Sequence, residues 1–220
     1  MRHWKRCGAT GVRLGVLAGT FLIVLVMGAS AASSLDFPSP LPGASRATLD
    51  GGKLVMGNDV IECVWDLRRE HFGFVTIADR LSGRTESLDS PEAFVIELND
   101  GAVLPASKFK ADGDPVLERI AAEAESVQAS RHFPGWKASL ALVSPDGTLQ
   151  VRREIVLRDG ANYVQQRLIL HAEKGSVAIR KVTLIDAELP AAAARGEGVG
   201  SPVVAGNLFL ACEHPMADNR

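Results

Sequence analysis

The fold is decided by residues 138–186, which read ASLALVSPDGTLQVRREIVLRDGANYVQQRLILHAEKGSVAIRKVTLID. Two Asp-Gly pairs, Asp146-Gly147 and Asp159-Gly160, divide this stretch, and Glu173-Lys174-Gly175 divides it again. Glycine in such pairs supplies the positive φ that a tight hairpin turn requires. The stretch therefore predicts four strands joined by short turns.

The strand between the two Asp-Gly turns has an apolar face and a polar face. Its apolar positions are Leu149, Val151, Ile155 and Leu157, and its polar positions are Gln150, Arg152, Glu154 and Arg158. A period of two is typical of a half-buried strand, because successive side chains point to opposite sides. Arg153 is the exception, a charged residue on the apolar face. Strands at about ten-residue spacing predict an all-β chain, an antiparallel β-sandwich or barrel.

The N-terminal segment has the features of a secretory signal peptide. Arg2, Lys5 and Arg6 precede an uncharged apolar run at residues 14–27, and Ala29-Ser30-Ala31 follows. This order predicts a signal helix at residues 1–31, cleavage after Ala31, and an exported protein, periplasmic or extracellular. The alternative is an uncleaved membrane anchor, since the run has nearly spanning length.

The mature chain is expected to be acidic and to contain one folded domain. Prolines in residues 32–48 predict a flexible linker, and residues 49–220 then form the β-sandwich domain. Without the signal peptide, 20 basic residues remain against 26 acidic ones, a formal charge of −6. An acidic chain with no basic cluster is a poor partner for nucleic acid.

Two cysteines remain after removal of the signal peptide. Cys63 and Cys212 both fall on apolar faces of predicted strands. An exported protein permits a disulfide between them. Two buried free thiols are the alternative, because sequence does not give the Cα–Cα distance that a disulfide requires.

Few residues form patterns that predict chemistry. The histidines have no metal-binding spacing, so we expect no metal and no cofactor. The neighbouring acids Glu123/Glu125 and Asp112/Asp114 are expected to be solvated surface charge, because glycoside cleavage needs two carboxyl groups across one bond.

Residues 121–130 favour a helix by propensity, but the β-rich context favours a strand, which we expect. Trp136, in a Pro-Gly loop, could stack on a sugar or cap the core, and we prefer the cap.

The C-terminal segment carries a resemblance to a known family. Residues 206–215, GNLFLACEHP, resemble the Gly-x-x-Phe-Phe…Glu-His-Pro segment of large secreted α-galactosidase-like glycoside hydrolases. Asn58-Asp59-Val60-Ile61 and the turn at residues 79–83 resemble the opening of the N-terminal β-supersandwich of these enzymes, which is related to the galactose-mutarotase sandwich. In that family a separate barrel carries the catalytic carboxylates.

The resemblance implies a non-catalytic domain or fragment, truncated before the barrel. Its partners would be a downstream catalytic barrel or a carbohydrate, with Glu213, His214 and Trp136 as candidate binding residues. One alternative is a mutarotase-like sugar epimerase that uses His171, His214 and Glu213 as acid and base. Adjacent residues in a strand point to opposite faces, which counts against a shared role for Glu213 and His214. Another alternative is a carbohydrate-binding module that uses Trp136.

Overall fold

The computed structural model describes residues 40–68, 72–88, 90, 92–187, 189, 192–198 and 200–213. The predicted signal helix, residues 32–39 of the predicted linker, His71 and His214 lie outside these residues. The described part is all-β with antiparallel sheets, as the sequence predicts. Nowhere in this part does the chain form a helix with the length and apolar character needed to cross a bilayer.

Most strands in the described part are short, and two single-turn 3₁₀ helices in that part, Ala106–Lys108 and Ala129–His132, interrupt them. In chain order the strands are β1 (Arg46–Asp50), β2 (Lys53–Gly57), β3 (Ile61–Asp66), β4 (Phe74–Asp79), β5 (Arg84–Ser87), β6 (Val95–Leu98), β7 (Val103–Pro105), β8 (Lys110–Ala111), β9 (Val116–Ile120), β10 (Gly135–Val143), β11 (Leu149–Arg158), β12 (Gln165–Ala172), β13 (Ile179–Thr183), β14 (Ala193–Ala194), β15 (Val203–Ala205) and β16 (Leu208–Leu210).

Sheet 1 is a meander in the order β1-β2-β3-β4-β5. Asn58 holds the turn between β2 and β3, because its Oδ1 accepts hydrogen bonds from the amides of Val60 and Ile61 at 3.0 and 3.1 Å. β1 begins at Arg46, so residues 46–48 of the predicted linker are strand. The side chain of Trp65 in β3 is fully buried, which fixes the face of this sheet that meets the core.

Sheet 2 contains the stretch that decides the fold. β12, β11 and β10 are consecutive neighbours, and β8 and β9 both pair with the far edge of β10. The predicted alternation in β11 is confirmed: Leu149, Val151, Ile155 and Leu157 are all buried. Arg153 is buried on the same face. At the predicted Asp-Gly turn, Ser144 Oγ donates to Asp146 Oδ1 at 2.6 Å and accepts from the Leu149 amide at 3.0 Å.

The fourth predicted strand is present as β13, but it belongs to another sheet: it pairs with β6 in sheet 3, whose order is β13-β6-β7. One local prediction is wrong. Residues 121–130 form turns and the start of a 3₁₀ helix instead of a strand. The main-chain amide of Glu123 donates to the carbonyl of Arg131 at 2.8 Å, which closes this segment on itself and keeps it out of the ladder.

Two core clusters cover the inner face of sheet 2. The first lies against sheet 1 and includes Leu54, Trp65, Ile155 and Leu157. The second lies against sheet 3 and includes Phe94, Ile96, Leu142 and Val151. Sheet 4, with the order β14-β15-β16, is joined to sheet 1 by Asn207 Nδ2, which donates to Asp79 Oδ2 at 3.0 Å. The four sheets read as a ring of four blades, and not clearly as the two layers that the sequence predicts.

Candidate functional site

The outward face of sheet 2 carries polar side chains in cross-strand rows. The strand register gives the rows Ile120–Gly135–Arg158, Glu118–Lys137–Val156–Gln165 and Val116–Ser139–Glu154–Arg167. These rows bring together residues from four strands. Alternation along each strand places them opposite the core, because the inward positions are already occupied by the buried residues.

Residues 121–134 fold over one end of this face and form a wall. Arg158 holds the wall in place: its Nη1 donates to the carbonyls of Ala121 at 3.0 Å and Phe133 at 2.7 Å. Its Nη2 lies 3.2 Å from Glu123 Oε1, and Arg131 Nη1 lies 3.1 Å from Glu123 Oε2. Hydrogen bonds from Arg131 and then from Arg158 lower the pKa of Glu123. The carboxylate of Glu123 is therefore held in its charged form.

Gly135 allows this arrangement because it has no side chain. A Cβ atom there would lie 2.5 Å from the carbonyl oxygen of Leu157 and 2.8 Å from the Cα of Arg158. The same Cβ would lie 3.2 Å from Cδ of Arg158, so the arginine side chain passes directly across the glycine. Close packing at Gly135 thus aims the guanidinium of Arg158 at the wall.

Between the wall and the strands lies an open cleft of about 190 Å³. Val156 belongs to its lining and is 8% exposed, although it stands on the outward face of β11. Tyr163, which precedes β12, contributes a half-exposed ring. The cleft combines an apolar floor with charged walls. Such a combination is typical of sites that bind small polar ligands.

Cations outnumber carboxylates in the cleft. The lining contains Arg131, Lys137, Arg158 and Arg167 but only Glu123 and Glu154 as acids. Lys137 Nζ lies 2.7 Å from Glu118 Oε1, so it also has an acidic partner. Arg167 Nη2 instead donates to a neutral group, Gln165 Oε1, at 3.0 Å.

Glu213, a candidate from sequence, lies at the edge of this region. Gln165 Nε2 donates to Glu213 Oε2 at 3.3 Å, and Gln165 lines the cleft. Glu213 follows the end of β16 and lies outside the strand in which it was predicted. Its candidate partner His214 lies outside the described residues.

The acid and base of the proposed epimerase are far apart. His171 lies near the end of β12, six residues beyond Gln165. At about 3.3 Å per residue, the two positions are roughly 20 Å apart. Since Glu213 contacts Gln165, His171 and Glu213 do not form one site.

Trp136 is held against the core by several contacts. It lies in β10 and not in the loop that the sequence predicts. Its Nε1 donates to the carbonyl of Ser45 at 3.2 Å, and the guanidinium of Arg119 lies 5.6 Å from the ring centroid. Trp136 also packs against the first core cluster, as expected for a residue that caps the core. Arg119 and Ser45 both hydrogen bond to Asp159, which ties the start of β1 to the turn after β11.

The two cysteines are not joined. Both are free thiols: Cys63 is fully buried in β3, and Cys212 lies half-buried after β16, in a different part of the fold. Burial, with a smaller effect of the Glu62 charge, raises the pKa of Cys63 to about 12, which leaves it protonated and inert. The described part of the chain thus contains two free thiols, of which Cys63 is buried and Cys212 half-buried.

The four residues of the two acidic pairs do not lie in one place. Glu123 belongs to the cleft wall, whereas Glu125, Asp112 and Asp114 are exposed in turns and loops. In the described parts of the chain, no three His, Cys, Asp or Glu side chains are grouped in a way that could hold a metal ion.

The cleft residues Lys137, Arg158 and Arg167 were missed by sequence reasoning, because each is one polar position in an ordinary alternating strand. The sequence does show charged residues on three adjacent predicted strands. Which of these residues lie side by side is known only from the strand register. Comparisons give no further guidance: no protein-family model matches the chain, and neither a curated protein nor a solved structure is significantly similar to it.

Proposed function

We propose that the chain is a non-catalytic β-sandwich domain of an exported carbohydrate-active enzyme of the α-galactosidase-like kind. The observation that carries the proposal is the open polar cleft, in which binding groups lie beside a carboxylate, Glu123, that two arginines hold in its charged form. A general acid needs a raised pKa. Glu123 has a lowered one, because two arginines stabilise its charged form.

The packing of sheet 2 supports the sandwich part of the proposal. Its inner face is covered at one end by sheet 1 and at the other by sheet 3, through the two core clusters. In the sandwich that we propose, sheet 2 would form one layer, and sheets 1 and 3 would share the second.

A direct carbohydrate-binding role is the second candidate. The exposed ring of Tyr163 and the polar side chains of Lys137 and Gln165 in one cleft favour it. Sugars are bound by such combinations of an aromatic face and hydrogen-bonding groups. In this proposal the cleft takes the sugar-binding role for which Trp136 is a candidate in the sequence.

The proposal includes a catalytic barrel as partner and export through the N-terminal signal. Phe209 in β16 is 62% exposed and lies in a three-stranded sheet at the C-terminal end of the described chain. An exposed aromatic residue on such a sheet is suited to contact with a second domain. Leu208 and Leu210 flank it and are only half-buried.

Turnover and binding measurements test the proposal. We expect the purified chain to hydrolyse no aryl α-galactoside and not to accelerate the mutarotation of galactose. We expect sugars to shift the NMR resonances of Tyr163 and of the backbone amides of β12. Turnover that is lost in Glu123→Gln or Glu213→Gln but kept in Glu125→Gln would overturn the non-catalytic assignment.

A further inference from the structure

We infer that the cleft on sheet 2 binds the carboxylate of an acidic sugar, with Arg167 as the residue that selects it. The inference rests on the proposed function for the sugar part of the ligand. It adds the chemical class of the sugar, a uronic acid, and the residue that distinguishes it from a neutral hexose.

The arrangement of ion pairs in the cleft supports an anionic ligand. Glu123 accepts bonds from both Arg131 and Arg158, and Glu118 is paired with Lys137. Glu154, which stands opposite Arg167 in the strand register, lies 3.4 Å from Nε of Arg152 instead. Among the ion pairs of the described residues, none includes Arg167.

Arg167 is well placed to bind a carboxylate. Its side chain is half-buried in the lining, and the hydrogen bond that it donates within the described part of the chain goes to the amide oxygen of Gln165. A guanidinium has five N–H donors in a planar fork that matches the two oxygens of a carboxylate. The contact with Gln165 fixes the orientation of the fork and leaves donors for a ligand.

The remainder of the lining fits a sugar ring attached to that carboxylate. Val156, Ala161 and the ring of Tyr163 give an apolar surface for the C–H face of a pyranose. The volume of about 190 Å³ is smaller than the roughly 300–1,000 Å³ of drug-sized sites. The cleft therefore takes a group the size of one sugar residue.

Binding of matched sugars to the full chain tests the inference. Galacturonate and glucuronate differ from galactose and glucose in having a carboxylate at C6, so each acid is compared with its parent hexose by calorimetry at low salt. We expect each acid to bind about tenfold or more tightly than its hexose, and the difference to shrink as salt is raised. Arg167→Gln should abolish the difference.

Arg180→Gln is the control, because it removes the same charge from an exposed arginine of β13, which lies outside the cleft lining and contacts no described residue of it. It should keep the preference, and thermal melting should verify that both variants are folded. Equal affinity for acid and hexose, no binding of either, or an equal loss of preference in the two variants would overturn the inference. Acetate that binds as tightly as the sugar acids, in the absence of hexose binding, would support the carboxylate contact at Arg167 and contradict the proposed function.

Discussion

Arg153 in β11 donates a hydrogen bond from its guanidinium to the main-chain carbonyl of Phe72. Phe72 has a φ of 43°, in the left-handed region that non-glycine residues seldom occupy. A second donor of Arg153 reaches Gln166 Oε1 in β12 at 2.7 Å. Burial lowers the pKa of Arg153 to about 10, which still leaves it charged at neutral pH. The one charged residue on the apolar face of β11 thus holds an unfavourable backbone conformation.

Replacement of Arg153 tests this role. Arg153→Met should lower the free energy of unfolding by about 2–4 kcal/mol, because the buried carbonyl of Phe72 and the half-buried amide oxygen of Gln166 lose a charged donor. Arg152→Met, at the exposed neighbouring position, is the control and should change it by less than about 0.5 kcal/mol. Urea denaturation measures both. Equal stability of the two variants would show that the buried guanidinium has no net stabilising effect.

The register of β11 gives a prediction about its apolar side chains. Ile155 is 2% exposed and lies in the first core cluster, so Ile155→Ala should cost about 2–5 kcal/mol. Leu168 is half-buried at the edge of the second cluster, and Leu168→Ala should cost less. Arg152→Ala should leave stability nearly unchanged. Similar melting shifts for Arg152→Ala and Ile155→Ala would mean that the register is displaced by one residue.

Gly135→Ala should damage both stability and the cleft. The added Cβ meets the backbone of Leu157 and Arg158, which cannot move without disturbing the β10–β11 ladder. We expect a loss of stability of about 1–3 kcal/mol and a displaced Arg158. Gly198→Ala is the control, since the nearest atom to its Cβ lies 3.9 Å away. Thermal melting and sugar titration check both effects, and a Gly135→Ala protein with unchanged melting and binding would contradict the packing argument.

Acid should weaken the junction between sheets 1 and 4. Hydrogen bonds from Ser82 Oγ, from Asn207 Nδ2 and from the amide of Leu81 lower the pKa of Asp79 to about 2. A carboxyl whose pKa is lowered by folding stabilises the fold above its unfolded pKa, near 4, and the stabilisation is lost as the pH falls through 2. The melting temperature should therefore fall between about pH 4 and pH 2.

Asp79→Asn should make that fall smaller, because its side chain no longer titrates. Asp114→Asn, at an exposed loop position, is the matched control and should follow the unmodified protein. If Asp79→Asn melts with the same pH dependence as Asp114→Asn, the bonds of Asp79 do not contribute to acid stability.

If the protein is exported, its signal peptide should be removed. Cleavage after Ala31 should give a secreted product that begins at Ala32, and intact-mass measurement of that product tests it. A mass that still includes residues 1–31 would favour the membrane anchor.

The sequence predicts strands well where a tight turn and a two-residue period coincide. β10, β11 and β12 satisfy both conditions, and their order and buried faces follow. The partner of β13 could not be predicted, because pairing with β6 depends on contacts about 80 residues apart. The strand prediction for residues 121–130 failed because this segment bonds to itself and to Arg158.

The candidate site was harder to predict from the sequence than the fold. Arg158 and Arg167 are ordinary polar positions of their strands, and only the register places them beside Lys137 and the 121–134 wall. Trp136 is the opposite case. It stands out in the sequence as an aromatic residue after Pro-Gly, but in the structure Ser45 and Arg119 hold it in a structural position.

The bonds from Ser45 to Asp159 have a consequence for the order in which the protein is assembled. The two residues are 114 positions apart, and Asp159 is among the later residues to leave the ribosome. At about 5–20 residues per second, roughly 6–23 s separate their synthesis. Sheet 1 can form its meander during that interval, whereas Ser45, just before β1, waits for Asp159 in the turn after β11. The hydrogen bonds between Ser45 and Asp159 therefore form late, after sheet 1 and β11 have formed their own hydrogen bonds.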